Sequence, residues 1–162
     1  MKPKIIFFGT PNFAVEVLKE IYNGEIEIQA VVTSPDKKSG RGRKVNSSPV
    51  KKFCLKKKIK FYQPSNLKEK SFISTIKSYK SDIYVVVAFR MIPEVVWSIP
   101  KIGTFNLHAS LLPEYRGAAP INWVLINQES ITGLTTFIID NKIDTGKILL
   151  QSKYKIKDGE TY

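Results

Sequence analysis

The residues of this sequence that could do chemistry lie around its single histidine, His108. Asn106 precedes it by two positions, and two carboxylates, Asp140 and Asp144, follow further along the chain. Side chains two residues apart on a strand project to the same face, so an amide and an imidazole would lie side by side. Such a pair can stabilise charge developing on an oxygen, and a nearby carboxylate would favour the protonated imidazole. Spacing alone leaves open which carboxylate returns to the ring, and a lone strand-end histidine is also common as an ordinary hydrogen-bonded residue.

The first half of the chain must position these groups, and it reads as alternating strands and helices. Residues 4–8 are a short apolar run that predicts a buried strand. Thr10 then predicts an N-cap and Pro11 the first helical position, ahead of a helix that stops at Asn23. This is the beginning of a βαβ unit.

The later elements continue the alternation. Residues 82–89 form the most continuously apolar run, which is typical of a strand buried on both faces of a parallel sheet. A strand over residues 103–108 ends at His108 and is followed by an irregular stretch rich in proline and glycine. Ser48 and Pro49 repeat the signal of an N-cap followed by a proline ahead of a second helix. The other predicted elements are strands at 26–33 and 59–62, helices at 67–79, 93–97 and 119–127, and an antiparallel strand pair at 132–139 and 147–156. The pattern predicts an α/β fold: a doubly wound, Rossmann-like, mostly parallel sheet with helices on both faces.

The turn after the first strand argues against a dinucleotide cofactor. It has one glycine, Gly9, where the dinucleotide fingerprint has three, and Pro11 lacks the N–H that would face a pyrophosphate. A P-loop sequence is also missing. In an open α/β sheet the ligand still lies beyond the carboxyl ends of the strands. We therefore expect the site near Gly9 and residues 88–90 and 106–110.

Composition limits the remaining chemistry. Cys54 and His108 are the only cysteine and histidine, so an intrachain disulfide is impossible and a transition-metal site would lack its usual ligands. We expect no metal. The longest apolar run, residues 83–89, is far short of the roughly 20 residues of a transmembrane helix. The N-terminus also lacks the apolar core of a secretory signal. We expect a cytoplasmic protein without a membrane partner.

The net charge of +12 is unevenly distributed. Residues 37–60 contain eleven lysines and arginines and no acid, which indicates a polyanionic partner. Lysine-rich solvated faces give the same composition, so the helical lysines alone do not decide this. Residues 37–44 combine basic residues with Gly and Ser and predict a mobile basic loop suited to nucleic-acid phosphates.

Taken together, these motifs resemble those of the folate-dependent formyltransferases. The resemblance is carried by NLHASLLP at residues 106–113 and YRGAAPI at 115–121. It extends in order and spacing to FFGTPNFA at 7–14, GRGRK at 40–44, SPVK at 48–51, VVVAF at 85–89 and IDTG at 143–146. The GAAPI form is similar to the branch of the family that acts on charged initiator tRNA.

The resemblance implies transfer of a formyl group from 10-formyltetrahydrofolate to the α-amino group of methionyl initiator tRNA, by a monomer and without a metal. It implies catalytic roles for Asn106, His108 and Asp144. The implied folate-contacting residues are Ser110, Leu111, Leu112 and Pro113, with Phe89 and Arg90 bordering the same pocket, and the implied tRNA-contacting residues are Arg41, Arg43 and Lys44. It also implies that residues 1–162 form one catalytic domain, without the C-terminal OB-like domain that family members carry.

Other functions remain open at this point. A related enzyme could formylate a small amine, either glycinamide ribonucleotide or an amino sugar. An enzyme for glycinamide ribonucleotide would require a glycine-rich phosphate loop after the first strand. The basic loop argues against an enzyme for an amino sugar. The chain could also be a non-catalytic RNA-binding fragment, although Asn106, His108 and Asp144 occur together.

Overall fold

The computed structural model describes residues 2–39 and 44–161. The chain divides into two compact units, Met1–Thr104 and Phe105–Tyr162. In chain order the described elements are β1 (Lys4–Gly9), α1 (Asn12–Asn23), β2 (Glu27–Val32), β3 (Lys37–Ser39), β4 (Lys44–Asn46), α2 (Pro49–Lys57), β5 (Phe61–Tyr62), α3 (Lys70–Ser78), β6 (Ile83–Val87), α4 (Glu94–Trp97), β7 (Gly103–His108), α5 (Pro120–Ile126), β8 (Ile131–Ile138) and β9 (Ile148–Lys155).

The first unit contains four parallel strands in the order β5-β2-β1-β6. The middle strand β1 is almost fully inaccessible, since its residues from Ile5 to Phe8 are at most 2% exposed. Every side chain of a central strand can be apolar only when both faces are covered. The apolar runs of β1 and β6 therefore fold as the sequence predicts.

Helices cover both faces of this parallel sheet. A Cβ added to Gly9 would meet Ala14 of α1, so α1 packs on the face that carries Gly9 and Phe7. The hydroxyl of Tyr84, which pairs with Ile6 of the opposite face, donates to the carbonyl of Ile76 in α3. The predicted doubly wound α/β class, with helices on both faces of a mostly parallel sheet, is confirmed.

The two predicted helix caps differ in outcome. Ser48 caps α2 as expected, because its Oγ accepts the backbone N–H of Lys51 at 3.0 Å. The expectation for Thr10 is wrong: α1 begins at Asn12, its N-cap position is Pro11, and no side chain caps it. The Thr10 hydroxyl instead pairs with the hydroxyl of Ser34 at 2.9 Å. A hydrogen bond to a neighbouring strand end has replaced the local cap.

The described part of the basic segment is more regular than predicted. Residues 37–44 were expected to form a loop, yet β3 and β4 pair as an antiparallel ribbon, with Lys37 opposite Asn46 and Ser39 opposite Lys44. We call residues 37–46 the basic hairpin after this pairing; of these, residues 40–43 lie outside the described residues. Glycine and serine counts predicted flexibility here, but they do not indicate whether the residues on either side pair as strands.

Helix α3 is shorter than predicted, since it begins at Lys70 and not at Leu67. The side chain of Asn66 accepts the backbone N–H of Lys68 at 2.9 Å and closes a turn before the helix. Asparagine side chains compete in this way with helical hydrogen bonds. The turn moves the helix start towards the C-terminus.

The second unit is built on antiparallel strands. Residues of β7 pair with β8, and β8 pairs with β9, as predicted for the last two strands. In β8, alternate residues Gly133, Thr135 and Phe137 are buried, whereas every residue of β9 is exposed. The irregular stretch between β7 and α5 includes a cis peptide bond between Leu112 and Pro113.

Candidate active site

His108 lies at the end of β7, opposite Thr135 of β8. Its side chain is only 7% exposed, and its Nδ1 lies 3.7 Å from Oδ2 of Asp144. The connection between β8 and β9 carries Asp144 back to the end of β7. The structure thus brings together the imidazole and one of the two carboxylates that the sequence left as candidates.

The second ring nitrogen of His108 faces the backbone. Nε2 lies 2.8 Å from the carbonyl oxygen of Tyr115. A carbonyl oxygen only accepts hydrogen bonds, so Nε2 carries a proton in this arrangement. The two nitrogens are therefore distinguished: Nε2–H donates to Tyr115, and Nδ1 is directed at the carboxylate.

Asp144 is held in place by the loop that follows β7. The backbone N–H of Gly117 donates to Asp144 Oδ2 at 2.8 Å, and Arg116 Nε donates to the Asp144 carbonyl at 2.9 Å. Asp144 itself has φ 51°, in the left-handed region that few side chains adopt. Arg116 and Gly117 directly follow Tyr115, whose carbonyl contacts Nε2, and they hold Asp144, which faces Nδ1. The groups at the two ring nitrogens are therefore joined to each other.

The other carboxylate, Asp140, has a local structural role. It is exposed, and its Oδ1 accepts the Lys142 N–H at 2.9 Å and the Thr145 hydroxyl at 2.8 Å. These hydrogen bonds, the one from Lys142 first, lower the pKa of Asp140. This is a side-chain turn within the β8–β9 connection.

Asn106 lies two residues before His108 on the same strand face, opposite Phe137. Its side chain is half-buried. Within the part of the chain that the structure describes, its amide has no hydrogen-bond partner. An amide N–H₂ group is therefore available for a ligand oxygen beside the imidazole.

The segment Ser110 to Pro113 is fixed mainly through its backbone. The hydroxyl of Thr135 donates to the Ser110 carbonyl at 2.7 Å and accepts the Leu112 N–H at 3.1 Å. Gln151 Nε2 donates to the Leu112 carbonyl at 2.8 Å and to the Thr135 hydroxyl at 3.0 Å. The sequence motifs did not single out Thr135 or Gln151. For Thr135 the available signal was a polar residue at an inward-facing position of an alternating strand. Gln151 lies on the exposed strand β9 and had no such signal.

Phe89 and Arg90 follow β6 in the first unit. The guanidinium of Arg90 donates to the carbonyls of Pro64 at 2.5 Å and Ser65 at 2.9 Å, and its Cζ lies 5.7 Å from the Phe89 ring centroid. The Phe89 ring packs edge-on against Phe8 at 5.7 Å between centroids. Arg90 thereby fixes the loop after β5 to the carboxyl end of β6.

Two of the three predicted tRNA-contacting residues, Arg41 and Arg43, lie outside the described residues. The third, Lys44, begins strand β4. In residues 2–39 and 44–161, no three His, Cys, Asp or Glu side chains are grouped so as to hold a metal ion. None of the helices described is both long and apolar enough to cross a membrane.

Solved structures define the class of fold. The phosphoribosylglycinamide formyltransferase from Bacillus halodurans superposes with a TM-score of 0.77 at 17% identity, over 98% of this chain and 82% of that one. The enzyme of the same name from Streptococcus pneumoniae gives 0.77 at 18% identity, over 99% and 86%. A formyltetrahydrofolate deformylase from Pseudomonas syringae gives 0.74 at 15% identity, over 99% and 54%. The architecture is that of the formyltransferase fold.

Sequence comparison narrows the class to a family. The formyl transferase family model matches residues 3–162, and the chain belongs to that family. The methionyl-tRNA formyltransferase of Flavobacterium psychrophilum is 53% identical over 158 residues, which are 97% of this chain and 50% of that protein. The Bacteroides thetaiotaomicron enzyme of that name is 50% identical over 155 residues, 96% of this chain and 48% of that one. The chain spans about half the length of the curated relatives it matches.

Proposed function

We propose that the complete protein transfers the formyl group of 10-formyltetrahydrofolate to the α-amino group of methionyl initiator tRNA. The observation that carries this proposal is the pairing of His108 with Asp144 on the strand end that also carries Asn106, whose amide has no hydrogen-bond partner among the described residues. This grouping occurs in a chain about half identical to methionyl-tRNA formyltransferases.

Asn106 and His108 donate hydrogen bonds to the oxygen of the formyl group. When the amine attacks the formyl carbon, negative charge grows on that oxygen, and preorganised donors stabilise it. The Asn106 amide supplies one donor without first breaking a hydrogen bond within the described chain. The Nε2–H of His108 supplies a second once the Tyr115 carbonyl gives way to substrate.

Asp144 holds the imidazole for this task. Its Oδ2 faces Nδ1 while the Gly117 N–H keeps the carboxylate in place. A carboxylate that faces Nδ1 helps to hold the ring in the orientation that presents its Nε2–H to the formyl oxygen. When the tetrahedral intermediate collapses, the bond between the formyl carbon and the folate nitrogen breaks. The proton that the attacking amine loses passes through this group of residues to that leaving nitrogen.

10-Formyltetrahydrofolate supplies the formyl carbon as electrophile when bound. We assign its contacts to Ser110, Leu111, Leu112 and Pro113, and to Phe89 and Arg90. The argument for the first segment is that its conformation is fixed before ligand binds, because Thr135 and Gln151 hydrogen-bond to backbone groups of Ser110 and Leu112. A ligand that binds a preformed surface loses less free energy to ordering the protein. No step of this chemistry requires a metal ion.

The tRNA contact belongs to the basic hairpin. We assign Arg41, Arg43 and Lys44 to the phosphates or base edges of the charged tRNA, since residues 37–60 contain no acid to neutralise them internally. Charged initiator tRNA is a cytoplasmic substrate, and we place the enzyme there, acting as a monomer.

The test is a comparison of two acceptors in one assay. The complete protein is given 10-formyltetrahydrofolate with either charged initiator tRNA or glycinamide ribonucleotide. Formylation of the tRNA and little or none of the ribonucleotide is expected. A clear preference for glycinamide ribonucleotide would reassign the enzyme to a small amine, and inactivity with both acceptors despite tRNA binding would leave an RNA-binding protein.

A further inference from the structure

The basic hairpin is tied to the first unit where the chain enters it. Lys51 Nζ in α2 lies 2.5 Å from Oδ2 of Asp36, the residue before β3. Gln63 Nε2, just after β5, donates to Asp36 Oδ1 at 2.9 Å and to the Ser34 carbonyl at 2.7 Å. Both oxygens of the Asp36 carboxylate are therefore occupied. The hydrogen bond from Lys51, followed by that from Gln63, lowers the pKa of Asp36, so it stays ionised at neutral pH.

The exit from the hairpin is tied to the same region. Ser48, which caps α2, shares a hydrogen bond of 2.7 Å with the hydroxyl of Thr33 at the end of β2. Thr10, at the end of β1, pairs with Ser34 and accepts the Val50 N–H at 3.4 Å. Entry and exit thus converge on the carboxyl ends of β1, β2 and β5.

These contacts at the base matter because the hairpin is too short to be stable on its own. Each of its strands has three residues, and an isolated two-stranded ribbon is at best marginally stable in water. The direction in which it projects is therefore set by the hydrogen bonds and the ion pair at its base. Among those contacts, the Asp36 group is the one that joins three separate elements: the β2–β3 connection, α2 and the residue after β5.

We propose that Asp36, Lys51 and Gln63 are positioning residues that fix the direction of the basic hairpin towards the charged tRNA. The proposal rests on the proposed function and adds the means by which the hairpin is presented. A segment already held in its bound direction loses less conformational freedom when tRNA arrives. Lys51, although it lies in the basic stretch, serves the hairpin base and not a phosphate.

A positioning role and simple electrostatics predict different effects of the Asp36→Asn substitution on tRNA use. Replacing Asp36 by Asn removes one negative charge beside the basic hairpin. If charge alone governed tRNA use, Asp36→Asn would improve it or leave it unchanged. If Asp36 positions the hairpin, the same substitution impairs tRNA use.

The experiment compares four variants of the complete protein: Asp36→Asn, Lys51→Met, the double variant and Lys56→Met. Lys56 is an exposed lysine of the same helix, so Lys56→Met controls for loss of one positive charge. We expect the first two to raise the KM for charged tRNA roughly 3- to 10-fold with little change in kcat, the cost of ordering one or two extra side chains. The double variant should be no worse than the more impaired single variant, because one unit has already been broken.

Four readouts separate positioning from general damage. The kcat for formyl transfer at saturating tRNA and the folate Kd should match wild type, CD-monitored thermal unfolding should be close to wild type, and backbone hydrogen exchange in β3 and β4 should be faster in Asp36→Asn. Unchanged or improved tRNA use by Asp36→Asn, or equal damage by Lys56→Met and Lys51→Met, would overturn the positioning role. A wild-type protein that fails to formylate charged tRNA would instead overturn the proposed function.

Discussion

At the scale of the residue, the site is defined by what each nitrogen of His108 contacts. Nε2 donates to a backbone carbonyl, and Nδ1 faces the carboxylate of Asp144. Gly117 donates to that carboxylate, and Arg116 donates to the backbone carbonyl of Asp144. The ring is therefore fixed in orientation before substrate binds. The nearby Asn106 amide is unpartnered within the described chain, and it is the group most directly available to a ligand.

His108→Ala should lower kcat for formyl transfer by on the order of 10² to 10³, the loss typical of one oxyanion donor. Folate Kd should stay within a few-fold of wild type, because the donor acts mainly in the transition state. Steady-state kinetics and folate titration measure the two quantities. Tyr115→Phe is the control, since it keeps the carbonyl that accepts from Nε2; near wild-type kcat in His108→Ala would remove His108 from the chemistry.

Asp144→Asn and Asp140→Asn form a matched pair within one connection. The first removes the charge facing Nδ1, and we expect kcat to fall on the order of 10²-fold, the scale of assisted proton transfer. The second alters only an exposed turn, so its kcat should lie within about twofold of wild type because surface changes of this kind are usually small. Equal kcat values for both variants would contradict the assignment of Asp144.

At the scale of the element, the end of β1 is the tightest point of the first unit. A Cβ on Gly9 would lie 2.6 Å from the Phe7 ring, 2.7 Å from Ala14 Cβ and 3.1 Å from the Val87 carbonyl. Glycine there allows β1, α1 and β6 to approach one another. In the sequence, Gly9 is the single glycine of an incomplete dinucleotide motif and one of the strand ends near which a ligand is expected, whereas its role in the structure is packing.

Gly9→Ala should therefore lower the free energy of unfolding by about 1 to 3 kcal/mol through overpacking. Gly24→Ala is its control, because a Cβ there meets only the carbonyls of Glu20 and Ile21, at 3.4 and 3.5 Å. Its effect should be within about 0.5 kcal/mol. Urea unfolding of both variants measures the difference, and equal midpoints would mean that the strand and helix ends can relax around the added methyl group.

At the scale of the whole molecule, the dominant feature is the net charge of +12 and its concentration in residues 37–60. The structure engages part of that charge internally. Lys51 pairs with Asp36, Lys57 lies 5.1 Å from the Tyr22 ring centroid, and Lys60 lies 5.3 Å from that of Tyr79. The basic stretch is thus divided between residues that support the fold and residues left for a polyanion.

Salt should separate these contributions. We expect kcat/KM for charged tRNA to fall steeply as salt rises, while folate Kd changes little. Arg41→Ala should weaken tRNA use by about 1 to 3 kcal/mol if Arg41 reads a base edge, or reduce the salt slope by about one if it contacts a phosphate. The measurement is kcat/KM at several salt concentrations for both proteins. Identical values and slopes would show that Arg41 does not contact the tRNA.

The sequence by itself determined the α/β class, the buried strands, the pairing of the last two strands and the alignment of Asn106 with His108. These follow from local periodicity, because side-chain direction on a strand repeats every two residues and burial on both faces demands continuous apolar runs. The resemblance to the family added Asp144 and the loop residues. The first residue of a helix was predicted less accurately, as α1 and α3 show. A single side-chain hydrogen bond, such as that of Thr10 or Asn66, can move it.

Only the tertiary structure decided which groups surround the imidazole. It placed Asp144 and not Asp140 at Nδ1, put the Tyr115 carbonyl at Nε2, and recruited Thr135 to the Ser110 segment. It also paired β3 with β4 and joined Asp36, just before β3, to Lys51. These contacts join residues far apart in the chain or use backbone atoms common to every residue. No pattern of residue types specifies them until the chain has folded and brought the groups together.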